Sequence, residues 1–424
     1  MKPISAIAAA LALATGAPLT AQTTVIHAGA VITDPDSAPR GPSTITVTDG
    51  RIVGIEDGFQ PTPAGATMVH LPDQTVLPGL IDLHTHLSGD PSGDYWRAAV
   101  DPPEWYTLVA AKNARITALA GFTTVRDVGS RSDQVMQALR RATEQGLVPG
   151  PRVVTSARTI AIVGGHGDTN GFRKLVNDAI GSDFACTGAV ECAEKVRLAS
   201  KYGADLIKIT ATGGVLSQQG RGLEAHFSDA EMTAIVDTAR SLGLNVAAHA
   251  HGARGIEAAA RAGVQTIEHG TYIDEAAARA MKQNGTILVP TLMAFQGIKR
   301  NLGTGFYTPV VEDKIRAVSQ SAETIVSRAR RFGVPVAFGT DAGVFPHGEN
   351  AGEFALMKAG GFSDREALAS ATTVAARVLG MESEIGRLAP GYAADIIAVS
   401  GNPLSDVTVL ENVEWVMARG RLIE

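Results

Sequence analysis

Hydrophobic positions change period twice between residue 24 and the end of the chain. From 24 to 76, short β-like runs alternate with turns: Val25-Ile26, Ala30-Val31-Ile32, Thr44-Ile45-Thr46-Val47 and Arg51-Ile52-Val53-Gly54-Ile55. Asp49-Gly50, between the last two, predicts a hairpin, because a two-residue turn needs residues that tolerate positive φ. The same texture returns in Ala394-Asp395-Ile396-Ile397-Ala398-Val399 and Val413-Glu414-Trp415-Val416-Met417. Neither end is large enough to bury a core alone. Residues 22–77 and 385–424 are therefore expected to fold together as one small β-sandwich domain.

Between the ends the texture becomes strand, loop, helix, repeated. Apolar β-rich runs fall at 77–86, 122–129, 152–160, 206–214, 245–252, 265–270, 286–292 and 335–343. Ala-rich amphipathic segments at 105–120, 189–202, 228–242 and 312–332 are the clearest helices. Ser228-Asp229-Ala230-Glu231 has the form of a capping box. Gly203, Gly243, Gly263, Gly285 and Gly333 each stand between a helix and the next strand, where C-cap glycines belong. Eight such units predict an α/β protein, a (β/α)8 TIM-type barrel over 78–384. A doubly wound open sheet is the alternative. No glycine-rich phosphate fingerprint opens the first helix, which counts against it. The long connections, 87–104, 161–188, 215–227 and 293–311, all follow strands, on the barrel face where active sites form.

The first residues are a separate matter. Lys2 gives a short positive start, residues 4–19 are apolar, and small residues lead to Thr20-Ala21-Gln22. This pattern predicts a signal peptide over 1–21, cut near Ala21, and export, most simply to a bacterial periplasm. A first helix of the mature domain is the alternative. No later stretch is long and apolar enough to span a membrane. Cys186 and Cys192 are the two cysteines. Their spacing fits no metal knuckle, leaving a local disulfide, which export favours, or two thiols. With 45% hydrophobic and 19% charged residues, the chain has the make-up of a globular enzyme. A net charge of −6 without a basic cluster argues against nucleic acid as a partner.

Against these apolar strands, chemistry-bearing residues stand out at matching ends. His84 and His86 close the first strand, and residues two apart in a strand face the same way. Lys208 interrupts the fourth. His249 and His251 close the fifth, His269 the sixth and Asp341 the eighth. A barrel gathers these ends around one axis. Each residue alone has a bland explanation: a core histidine, a snorkelling lysine, an aspartate capping a helix. Jointly, on five strands, they point to a metal site. Imidazole and carboxylate suit a divalent transition metal, zinc by default. A lysine ammonium is no ligand, but its amine can take up carbon dioxide to form a carbamate able to bridge two cations. Two metals about 3.5–4 Å apart would then share a hydroxide.

This combination resembles the amidohydrolase superfamily, specifically its members with a carboxylated lysine and two metals. The resemblance rests on Pro78-Gly79-Leu80-Ile81-Asp82-Leu83-His84-Thr85-His86, Lys208, His249, His269 and Asp341. Gly386-Arg387-Leu388-Ala389-Pro390-Gly391-Tyr392-Ala393-Ala394-Asp395 is similar to that superfamily's return into its small β domain. It implies His84, His86 and Asp341 on the more buried metal, His249 and His269 on the other, and a carboxylated Lys208 between them. His251 is left behind these ligands. A homo-oligomer is a further family expectation. Arg126-Asp127-Val128-Gly129, Gly164-Gly165-His166-Gly167-Asp168 and Ala211-Thr212-Gly213-Gly214-Val215 resemble a narrower branch, once grouped as imidazolonepropionase-like or prolidase-like. It includes Xaa-Pro dipeptidases, carboxypeptidases and hydrolases of N-acyl amino acids, ochratoxin among them. Lys208 argues against imidazolonepropionase activity, whose superfamily members use one metal and lack the carboxylated lysine.

The expected reaction is cleavage, by a metal-bridging hydroxide, of the amide bond to a C-terminal amino acid in a dipeptide or N-acyl amino acid. Asp341 is the expected proton carrier and His166 the expected donor to the oxyanion. A substrate carboxylate needs a cation or donors at the mouth. Arg221 is the first candidate, followed by Tyr272 and His226, with Ser88 shaping the pocket. Arg126 and Asp127 form an internal ion pair or contact substrate. Hydrolysis of a cyclic amide or ester on the same scaffold is the competing reading. A non-catalytic periplasmic metal-binding protein is the third, disfavoured because storage needs no proton carrier.

Overall fold

A computed structural model describes residues 22–130, 132–220 and 222–424. The expected signal peptide and Arg221 therefore lie outside the described residues. The N-terminal strands are β1 (Thr23–Val31), β2 (Ser43–Thr48), β3 (Arg51–Asp57) and β4 (Thr67–Pro78). The predicted hairpin joins β2 to β3, with φ of 49° at Asp49 and 77° at Gly50.

The central strands are β5 (Leu80–Thr85), β6 (Phe122–Asp127), β7 (Arg152–Thr155), β8 (Thr159–Ile162), β9 (Ala185–Cys186), β10 (Ile207–Thr210), β11 (Val246–Ala250), β12 (Thr266–His269) and β13 (Ile287–Val289). The chain closes with β14 (Ile396–Val399), β15 (Val413–Ala418) and β16 (Arg421–Leu422). Strands from both ends share one seven-stranded sheet, in the order β16-β15-β14-β4-β1-β2-β3. Ile26, Ile45, Val76, Leu388, Ile396 and Met417 pack on it out of solvent.

The central strands pair in parallel, β5-β6-β7 in one set and β13-β12-β11-β10-β8-β9 in another. Two expected strands depart from regularity. The third, 152–160, splits into β7 and β8 at Ala157, whose φ of 61° is left-handed and breaks the ladder. The eighth, 335–343, is not a regular strand. It still bridges β13 through Leu288↔Val336 and β5 through Thr85↔Ala342, both in parallel. Positive φ at Asp341 (64°) and Gly343 (113°) interrupts the ladder there.

Helices Pro103–Leu119, Ala189–Lys201 and Asp229–Ser241 occupy the expected segments. Ser228 and Glu231 form the capping box. All five predicted cap glycines have φ between 70° and 94°. The expected helix 312–332 is instead two, Pro309–Ala322 and Ile325–Phe332. Thr324 leaves helical geometry, and the Ser321 carbonyl accepts from Thr324 Oγ1 and from the Arg328 guanidinium. A disulfide joins Cys186 to Cys192 and ties β9 to the helix behind it. Among the described residues no helix is long and apolar enough to cross a membrane.

Asp82 fixes β5 against segment 335–343. Fully buried, it accepts hydrogen bonds from the N–H groups of His84 (3.0 Å) and Thr340 (3.1 Å), from Thr340 Oγ1 (2.6 Å) and from Asn350 Nδ2 (2.8 Å). Burial raises its pKa to about 6, against the pull of these donors. Asp82→Ala would leave several donors unsatisfied in the interior. It is expected to cost about 3 kcal/mol or more, read as a lower urea midpoint. An unshifted midpoint would remove Asp82 as the clamp.

Candidate metal centre and substrate cavity

The site begins with the direction of two rings. His84 Nδ1 lies 2.8 Å from Glu268 Oε2, and His86 Nδ1 lies 2.7 Å from the Gly129 carbonyl. Carboxylate and carbonyl oxygens accept, so both Nδ1 atoms carry the proton. Each neutral ring then presents a lone pair at Nε2. Burial, with Lys208's charge, lowers the His84 pKa to about 4, so that ring is neutral. Burial also opposes a charge on His86, but the hydrogen bond and charge of Asp341 outweigh it and raise its pKa. Asp341 Oδ1 lies 3.2 Å from His86 Nε2 and 3.5 Å from His84 Nε2, and it has no hydrogen-bond donor of good geometry. His84 Nε2 and Asp341 Oδ1 thus converge in a buried place with His86 Nε2, where a cation, by displacing any proton from His86, would satisfy all three atoms.

A second trio stands beside the first. One ligand atom each from His249, His251 and His269 lies within 4.8 Å of the others, as in the His84, His86 and Asp341 group. His249 Nε2 donates to the Gly213 carbonyl at 3.1 Å, leaving Nδ1 free. The Nδ1 atoms of His251 and His269 pair at 2.7 Å with Thr271 Oγ1 and Thr291 Oγ1. Burial is the first cause lowering the pKa of all three, so they are neutral imidazoles that could hold a metal. His251 therefore shares the trio with His249 and His269, rather than standing behind it. Lys208, on β10, is buried, and burial lowers its pKa to about 8. A substantial fraction of free amine near neutral pH fits the carbamate chemistry.

Two of these residues occupy strained backbone. His269 has φ of 72° and Asp341 of 64°, which non-glycine residues rarely adopt. Thr291, the partner of His269, has φ of 50°. Buried Glu353 holds the next turn by accepting from the N–H groups of Leu292 (2.9 Å) and Met293 (2.7 Å).

The Amidohydrolase family model matches residues 75–423. The chain belongs to the amidohydrolase family. Ochratoxinase of Aspergillus niger is 30% identical over 414 residues, covering 92% of this chain and 84% of the fungal one. A Xaa-Pro dipeptidase crystallised with methionine in its active site is 38% identical, with a TM-score of 0.88 over 95% of this chain and 100% of that one. A prolidase complexed with N-methylphosphonate-L-proline is 31% identical, with a TM-score of 0.84 over 95% and 100%. Accordingly, this amidohydrolase is a hydrolytic enzyme acting on amide bonds.

Its two trios and Lys208 line one cavity of about 450 Å³. Ser88 and His166 line it too, as expected. Ser88 Oγ donates to Ser130 Oγ at 3.1 Å, and His166 Nδ1 pairs with Ser217 Oγ at 2.6 Å. Burial first, then the nearness of His251, Lys208 and Lys314, lower the His166 pKa to about 3, so the ring is neutral. Two expected substrate contacts do not line the cavity. Tyr272 donates its hydroxyl to the Ala317 carbonyl at 3.0 Å, which ties it to helix Pro309–Ala322. His226 packs behind the mouth, its ring within 3.2–3.3 Å of the Cβ positions of Gly165 and Gly213. The sequence reading passed over Arg158, which does line the cavity. Its signal was a cation beside the break in the third strand. Phe295, Ile298, Tyr307 and Val311 supply an apolar wall.

The sequence reading also passed over Glu268. It joins His84 to Arg126, whose Nη2 lies 2.9 Å from Glu268 Oε1, so Arg126 is in an internal ion pair, with Glu268 and not with its neighbour Asp127, which accepts from the Leu87 N–H at 2.7 Å. Burial would raise the Glu268 pKa, but Arg126 and His84 overcome it and hold it at about 2. Glu268→Gln would leave the buried guanidinium without its counter-charge and weaken the anchor of His84. Metal affinity is expected to fall about 10- to 100-fold in a competition titration with a chelator. Wild-type affinity would rule out this support.

Proposed function

We infer that this amidohydrolase releases the C-terminal amino acid from dipeptides or N-acyl amino acids, using two divalent metal ions, zinc foremost, and a carboxylated Lys208. The carrying observation is the convergence of histidine and aspartate ligand atoms in a cavity lined also by Arg158 and by an apolar wall. Similarity to a Xaa-Pro dipeptidase and an ochratoxinase supports the substrate class. The parallel bridges of segment 335–343 to β13 and β5 support a (β/α)8 barrel, with the shared end sheet as a sandwich-type domain. The signal-like N-terminus and the disulfide support an exported, periplasmic protein.

His84, His86 and Asp341 would hold one metal, and His249 and His269 the other, with His251 beside them. Lys208 would bridge after its amine adds carbon dioxide and loses one proton. When bound, the metals would supply a hydroxide nucleophile near neutral pH and polarise the scissile carbonyl. The chain's own groups do the rest. The Asp341 carboxylate, through the oxygen not turned toward His84 and His86, would take the proton released on attack and return it to the departing amine. If Ser217 donates to His166 Nδ1, the other ring nitrogen carries the proton and can donate to the oxyanion. Arg158, a cationic residue of the lining whose guanidinium also packs 5.7 Å from the Phe184 ring, is assigned to the substrate carboxylate, and the wall around Phe295 takes apolar side chains.

A panel of dipeptides and N-acyl amino acids, each paired with its C-terminal amide, tests the reading on metal-replete protein. The free acids are expected to be turned over about 100-fold more efficiently than the amides, and Arg158→Met to raise KM for the acids about 10- to 100-fold. Equal rates would eliminate carboxylate recognition and favour the cyclic amide or ester reading. No turnover at all would leave a metal-binding protein. Lys208→Ala is expected to lose activity and metal, with partial recovery in short carboxylic acids. Full metal content and normal turnover in that variant would overturn the two-metal assignment.

A further inference from the structure

Helix Pro309–Ala322 buries Val311, Lys314, Ile315, Val318 and Ala322 along one stripe. Lys314 is an anomaly in that stripe. Burial lowers its pKa to about 8, with no carboxylate opposing it among the described residues. A buried ammonium without a counter-ion is costly unless its donors are satisfied. Lys314 Nζ donates to three backbone carbonyls, those of Gly214 (2.9 Å), Ser217 (2.6 Å) and Gln219 (3.2 Å).

These three residues also hold His166. The His166 ring lies so close over Gly214 that a Cβ there would fall 2.4 Å from it. Ser217 Oγ is the 2.6 Å partner of His166 Nδ1. The Gln219 amide, oriented to satisfy both its ends, accepts from the His166 N–H at 3.1 Å and donates to the Gly164 carbonyl. The glycine beneath the ring of the candidate oxyanion donor, the ring's tautomer-setting partner and the backbone anchor of His166 thus belong to one segment. Lys314 grips that segment at the same three residues.

We propose that Lys314 is a positioning residue for His166, clamping residues 214–219 so that the imidazole is held at the oxyanion position before substrate arrives. The clamp rests on the reading of His166 as the oxyanion donor. Charge-assisted bonds to carbonyls are about twice as strong as neutral ones, which suits an ammonium for fixing a loop without regular structure. Geometry explains the choice of lysine: three donors on one atom meet three carbonyls that no single amide or hydroxyl could satisfy.

The test pairs a structural readout with a kinetic cycle. In metal-free protein, Lys314→Met should accelerate amide hydrogen exchange in 214–219 and change the ring-nitrogen shifts of His166, leaving exchange in β5 and β11 unaltered. With the best amide substrate from the panel, Lys314→Met should lower kcat about 10- to 100-fold with KM changed less than about threefold. Combined with His166→Asn, it should add almost nothing further. Ser217→Ala approaches the same link from the loop side. It should reproduce the kcat loss without multiplying that of Lys314→Met, so the proposal stays exposed even if Lys314→Met folds poorly. Unchanged exchange and ring shifts, or losses that multiply across the cycle, would overturn the clamp. A wild-type protein that turns over no amide would instead remove the functional reading, while exchange and ring shifts still decide whether Lys314 holds the loop. A His166→Asn variant with normal kcat would remove the oxyanion role itself and, with it, the positioning role.

Discussion

Nε2 of His84 and Nε2 of His86 crowd Oδ1 of Asp341 within 3.5 Å, and the carboxylate oxygen has no hydrogen bond of good geometry to relieve it. In water such groups would separate and hydrate. In the interior they stay together because each is held from behind. Glu268 holds His84, the Gly129 carbonyl holds His86, and segment 335–343, clamped through Asp82, holds Asp341. The site is therefore an electrostatic demand for a cation, built by the fold before any cation is considered.

Meeting that demand accounts for most of the unusual features nearby. Buried ions are weak contributors to stability, and breaking one leaves the other exposed to desolvation cost. Here Arg126, Glu268, Asp82 and Glu353 are all fully or almost fully buried, and each serves a ligand or the strand that carries one. The left-handed backbones of His269 and Asp341 belong to the same account. Strain of this kind persists where the surroundings over-determine it. The two strands that lose regularity, at Ala157 and in 335–343, do so beside Arg158 and Asp341, where side chains must be re-aimed.

Much of this was legible in residue order. Apolar strand runs, cap glycines and the Ser228–Glu231 box marked the repeated units because they depend on local backbone chemistry. His84, His86, Lys208, His249, His269 and Asp341 were visible because polar residues at the ends of buried strands contradict their surroundings. Arg126 and Glu268 contradicted theirs equally, but their pairing crosses 142 positions of sequence, and nothing local reveals it. Tyr272 and His226 looked suitable for substrate by proximity to His269 and to the loop after the fourth strand. Their actual neighbours, Ala317 for one and Gly165 and Gly213 for the other, are set by how loops fold back over the strand ends. Such long-range closures carry no periodic signal.

By itself, the sequence determined the alternation of strands and helices, the meeting of both chain ends and the candidate metal-holding side chains, since each follows from period, propensity or donor chemistry. Only the tertiary structure decided which nitrogen of each imidazole is free, that His251 stands with His249 and His269, and that Arg158 rather than Tyr272 reaches the cavity. It alone set Lys314 against residues 214–219. The physical reason is common to all four. Each depends on a hydrogen-bond partner or neighbour distant along the chain, and orientation becomes fixed only when both sides are packed in place.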